Sequence, residues 1–107
     1  MSHFACLVQR NSAADATRAA LEQRLATLHA EHFPGETATF RWRAAEAGFM
    51  FTEGRQSTSS VISCQLAHPT TLELRERYMR DVCGAWTDVT GCTDHEILVS
   101  MTDAGPN

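Results

Sequence analysis

Apolar positions along the chain follow two alternating rhythms. Phe4 to Gln9 is a short, mostly apolar run of the kind a buried strand makes. Asn11-Ser12 follows. Ser12 is a good helix N-cap, and Asp15 lies in the first turn, where the helix dipole favours a carboxylate. From Ala13 to Glu31 the positions Ala16, Ala20, Leu21, Leu25 and Leu28 recur at three-to-four spacing, which predicts an amphipathic helix stopped by Pro34-Gly35. Thr39 to Arg43 then alternates strictly, with Phe40 and Trp42 on one face of a half-exposed strand and Arg41 and Arg43 on the other.

The second half repeats the order. Ser60 to Leu66 reads as a strand, and Pro69-Thr70-x-x-Glu73 as a capping box with Thr70 as the N-cap. Leu74, Tyr78, Val82 and Trp86, flanked by Met79 and Cys83, form one helical stripe. Gly91 breaks it, and Ile97 to Met101 is a last strand. The halves superpose at a constant offset: Ala5-Cys6 falls on Ser63-Cys64, Ser12 on Thr70, and Thr39-Phe40 on Ile97-Leu98. The pattern predicts one domain over residues 1–107, with pseudo-repeats 2–43 and 60–101. A linker over 44–59 joins them, and Gly48-Phe49-Met50-Phe51 and Glu53-Gly54 within it predict a hairpin. Two consecutive β-α-β units with right-handed crossovers give an α+β fold, a four-stranded mixed sheet with both helices on one face.

Composition narrows the chemistry. The chain has 107 residues, 43% of them hydrophobic and 21% charged, as one globular domain does. No apolar run reaches the roughly 18 residues of a membrane span, and no leader segment precedes the first strand, so a soluble, cytoplasmic protein is expected. All nine basic residues are Arg, which excludes lysine Schiff-base chemistry and a lysine-bearing phosphate loop. A net charge of −4 argues against a nucleic-acid partner. A small anion remains admissible, because one or two arginine forks suffice to bind it. Cys6, Cys64, Cys83 and Cys92 form no C-x-x-C pair and read as free thiols; neither a metal nor a cofactor is expected.

The duplicated unit, Ser2 behind the initiator Met, and the stretch Ala47-Gly48-Phe49-Met50-Phe51-Thr52-Glu53-Gly54 together resemble the tautomerase superfamily. The nearest likeness is to its fused double-unit members, the group of cis-3-chloroacrylic acid dehalogenase, and it runs without a gap from Ser2 to about Ile62. The resemblance implies a homotrimer whose sheet faces pack around a central axis. It also implies keto-enol proton transfer on small 2-oxo or enolic carboxylic acids. The family's base is an N-terminal proline amine, and here that position is Ser2, so activity is expected to be weak or lost. A Ser2 amine would be primary, with an ordinary pKa of about 7.7–8.0, and would exist only once Met1 is removed. The group's first-helix histidine falls on His29. Its arginine pair before the second helix falls near Pro69 and Leu72 and is absent, with Arg75 the nearest substitute. Its last-strand tyrosine falls at about Ser100. Asn107 precedes the segment that carries the dehalogenase's activating glutamate, so dehalogenation by that route is not expected.

The resulting candidates are Ser2 and His29 for catalysis, with Arg41, Arg43, His68 and Arg75 for binding a substrate carboxylate. Each has a plainer role open to it. Ser2 can be a solvated or interface-buried terminus, His29 a partly buried, hydrogen-bonded helix residue, and Arg75 part of the solvated Glu73-Arg75-Glu76-Arg77-Arg80 face. Arg41 and Arg43 can pair with Glu46, Glu53 or a neighbour's carboxylate. His68 sits in a strand-to-helix loop, where function concentrates. The alternatives are a trimeric scaffold that has lost its chemistry and a dimeric ferredoxin-like module.

Overall fold

The computed structural model describes residues 1–103; the last four residues of the expected 1–107 domain lie outside them. Strand β1 (Ser2–Gln9) leads through a short helix α1 (Ala13–Ala16) into α2 (Arg18–His32) and then β2 (Ala38–Ala45). A two-stranded ribbon, β3 (Phe51–Thr52) with β4 (Arg55–Gln56), precedes β5 (Ser60–Leu66), helix α3 (Leu72–Thr90) and β6 (Ile97–Asp103). The main sheet has the order β2-β1-β5-β6. Each β-α-β unit pairs its own two strands in parallel, and β1 meets β5 antiparallel at the centre. A ferredoxin-like module is ruled out by this order, because there the strands of each unit are split by another strand.

The core follows from strand alternation. Phe4, Cys6 and Val8 on β1 and Ile62, Cys64 and Leu66 on β5 point to the helical side, against Leu21, Leu25, Tyr78, Val82 and Trp86. Phe40 and Trp42 pack against this core from β2, while Thr39, Arg41 and Arg43 stand exposed on the other face. Trp42 stacks on Trp86 with ring centroids 6.0 Å apart and donates its indole N–H to Glu22 at 2.6 Å. Burial pushes the Cys6 and Cys64 thiols up to about 12, so both stay protonated and unreactive.

Two local expectations are corrected. The first helix is broken at Thr17, whose hydroxyl donates to the Ala13 carbonyl at 2.7 Å while its φ of −116° leaves the helical range. Such back-bonding competes with the helical ladder. The break turns the first segment, so Ala14 is buried there, while Ala16 and Ala20 are exposed. The second helix is capped by Thr71, not Thr70: the Thr71 hydroxyl accepts from the Leu74 amide at 3.1 Å. Thr70 is drawn to the sheet, giving its amide (2.8 Å) and hydroxyl (3.0 Å) to Asp103. A capping box does occur, between Thr93 and Glu96 just before β6. The hairpin in the linker turns at Glu53 and Gly54, both with positive φ, as a tight primed turn requires.

With both helices on one side, the opposite sheet face is uncovered. Cross-strand register lays out three rows on it: Arg43, Leu7, Val61 and Leu98; Arg41, Ala5, Ser63 and Ser100; Thr39, His3, Gln65 and Thr102. The first row is largely apolar, and Leu98 is 62% exposed.

Candidate active site

The start of β1, the last turn of α2, the turn before β2 and the end of β5 converge at one end of the molecule. Ser2 is fully buried there. Its amide donates to the Thr37 carbonyl at 3.0 Å, its hydroxyl donates to Glu36 Oε1, and the same hydroxyl accepts from the Ala67 amide at 3.1 Å. Because Met1 precedes it, the Ser2 nitrogen is an amide in this structure. His29 is also fully buried, its ring enclosed by Phe4, Phe33 and Tyr78. Nδ1 lies 2.7 Å from the Tyr78 hydroxyl, and Nε2 lies 3.4 Å from Glu36 Oε1.

These contacts fix the proton positions. Burial, the largest influence, lowers the His29 pKa and outweighs the raising effect of Glu36, so the ring is neutral. Burial also pulls Glu36 upward, but hydrogen bonds from Ser2 and His29 prevail and leave it below the ordinary carboxylate value. An ionised Glu36 can only accept, which places the ring proton on Nε2. Nδ1 then accepts from Tyr78, whose phenol burial keeps protonated. The result is a directed chain: Tyr78 O–H to His29, His29 N–H to Glu36, and Ser2 O–H to the same carboxylate oxygen. Over it lies a hollow of about 350 Å³ lined by His32, Phe33, Pro34, Gly35, Glu36 and His68. His32 is tied by Nε2 to Asp81 at 2.8 Å.

The other candidates lie elsewhere. Arg41 and Arg43 stand on the uncovered sheet face, with the sheet between them and His29. Arg41 borders a broad hollow there with His3, Ser63, Gln65 and Ser100. Glu46 pairs instead with Arg10 at 2.6 Å. Arg75 closes the junction of α3 and β6, donating to the Thr70 carbonyl at 2.7 Å and lying 3.6 Å from Asp103. No group of three or more His, Cys, Asp or Glu among the described residues is arranged to hold a metal ion. No helix among them is long and apolar enough to cross a membrane.

Solved structures share this topology over nearly the whole chain. A fused 4-OT forming a symmetric trimer superposes with a TM-score of 0.82 at 13% identity, over 94% of this chain and 84% of that one. A member of the cis-3-chloroacrylic acid dehalogenase family gives 0.82 at 17% identity, over 94% and 73%. The chain has the tautomerase-superfamily fold. The Leishmania major MIF2 structure adds a third such likeness, with a TM-score of 0.79 at 14% identity over 100% of this chain and 94% of that one. No family model and no curated protein matches the sequence.

Within this fold Ser2, His29 and, at the rim, His68 come together, whereas Arg41 and Arg43 lie on the opposite sheet face and Arg75, tied to Thr70 and Asp103, does not line the hollow. Sequence reasoning missed Glu36 and Tyr78. Tyr78 carried a signal: a phenol on a buried stripe needs a polar partner, and His29 was the polar residue on the other helix's apolar side. Glu36 carried a weaker one, as a lone carboxylate just after the Pro34-Gly35 stop.

Proposed function

We propose that the chain is a tautomerase-superfamily member without the N-terminal proline, with weak proton transfer on small 2-oxo or enolic carboxylic acids. The observation that supports it is the convergence of Ser2, His29 and Glu36 beneath a hollow that His68 borders. General acid–base chemistry needs a positioned group of suitable protonation beside open space. His68 offers a ring N–H to a substrate carboxylate. A homotrimer belongs to the same reading: the uncovered face has the apolar row such packing needs, and Arg41 and Arg43 would hold carboxylates of a partner or ligand there. The test is phenylenolpyruvate ketonisation by the untagged protein. A rate above buffer that falls when His68 is replaced by Ala supports the reading; a rate equal to buffer overturns it.

A specific observation favours a second reading, a trimeric scaffold or binding protein without turnover. Ser2 and His29 are both 0% exposed, so neither can touch a substrate as the chain stands. Ligands that raise the melting temperature yet are recovered unchanged would support it.

A further inference from the structure

We infer that the proton-transferring group of this site is the Glu36 carboxylate, with Ser2 and His29 as positioning residues rather than catalytic ones. The inference rests on the proton-transfer reading above and assigns its chemistry to a residue that the missing proline does not affect.

Accessibility is the first ground. Of the four members of the hydrogen-bonded chain, Ser2, His29 and Tyr78 are fully buried, while the Glu36 side chain is 14% exposed and borders the hollow. Its two oxygens are inequivalent. Oε1 takes the bonds from Ser2 and His29. Oε2 has no hydrogen-bond partner among the described residues, on a side chain that is partly exposed and lines the hollow. One oxygen is therefore clamped and the other free to accept a proton, which is the arrangement a carboxylate base requires.

Several groups surround it, and of these Ser2, His29 and the N-terminal ammonium favour its ionised form. Ser2 faces it from β1, with the N-terminal ammonium beyond; His29 and His32 face it from α2, Tyr78 stands behind His29 on α3, Cys64 lies on β5 and His68 on the loop. The donors outweigh the desolvation, and Glu36 is ionised at neutral pH. In the enolising direction, Oε2 takes a proton from C3 of a 2-oxo acid. The C3–H pair becomes the C2–C3 π bond, the carbonyl π pair moves to its oxygen, and water supplies that oxygen's proton. Glu36 then returns its proton to solvent, and ketonisation is the reverse: the carboxylate takes a proton from solvent and passes it to C3 as the enol O–H proton leaves to water.

Deuterium incorporation at C3 of phenylpyruvate in heavy water, followed by proton NMR, tests this. The wild-type protein should exceed buffer, Glu36→Gln should lose about two to four powers of ten, and Glu36→Asp should recover part of the loss. Glu46→Gln, on the Arg10 ion pair, should match wild type. Ser2→Ala removes the leading donor that holds Glu36 low, so the acid limb of its pH–rate profile should move to higher pH. A wild-type rate equal to buffer overturns the functional reading and this inference together. An active wild type with an equally active Glu36→Gln, or an unshifted Ser2→Ala profile, overturns only the inference. If Glu36→Gln fails to fold, the Ser2→Ala profile decides.

Discussion

His29 illustrates how one buried side chain can bind the fold to pH. In the unfolded chain it takes up a proton as pH falls past its ordinary value of 6.5; in the fold, desolvation delays that uptake to lower pH. The unfolded state then binds more protons, so stability falls as pH drops from about 6.5 toward the folded value. Glu36 acts next in the same direction. Its folded pKa lies below the ordinary 4.5, so its contribution is present above that value and is lost as pH falls through the folded one. Urea midpoints measured at about pH 7.5 and about pH 5.5 should therefore show acid weakening in the wild type. His29→Gln can keep an N–H toward Glu36 but does not titrate, so it should show a smaller difference between the two midpoints. An equal slope in both proteins would move the effect to another group.

At the scale of elements, end chemistry decides where helices begin and turns form. Thr71 supplies the side-chain cap of α3, and replacing a capping Thr by Ala typically costs about 1 kcal/mol. Thr71→Ala should lower the unfolding free energy by about that much in a urea titration. No loss would mean that Thr70, at the position the sequence pattern favours, takes over the cap. Much of this level was legible beforehand. Alternation put Phe40 and Trp42 opposite Arg41 and Arg43, and three-to-four spacing placed Tyr78, Val82 and Trp86 on one buried stripe, because burial selects apolar residues by geometry alone. The break at Thr17 and the shift from Thr70 to Thr71 were not legible. Each depends on a competing partner, the Ala13 carbonyl in one case and Asp103 in the other, and the Asp103 contact spans 33 residues. The site divides similarly. The alternation already placed Arg41 and Arg43 away from the core side, where His29 proved to lie. The meeting of Glu36 with Ser2 required the crossover that brings a turn after α2 beside the first strand.

For the molecule as a whole, the unsolved surface is the sheet face away from the helices. A chain of this length buries only about two-thirds of its unfolded surface, so a face carrying Leu7, Val61 and an exposed Leu98 in one row gains by being covered. The next two rows, both on the Ser2 side of it, carry Arg41, Ser63, Ser100, Thr39, His3 and Gln65, a mixture of donors and acceptors suited to a polar margin along that side of the apolar packing. Covering by two further copies of the same chain predicts a trimer in a native mass spectrum of the untagged protein. Leu98→Glu should weaken or dissociate it, because a strongly hydrated carboxylate replaces the apolar contact of the row that Leu98 shares with Leu7 and Val61. The same variant should keep its far-UV circular dichroism, since Leu98 lies outside the core cluster and its loss opens no cavity there. A Leu98→Glu trimer of undiminished stability would instead place the contact on another surface. A dimer or monomer in the wild type would remove threefold assembly from the functional reading. It would leave the hollow over Glu36 intact, because every residue of its hydrogen-bonded chain comes from one copy.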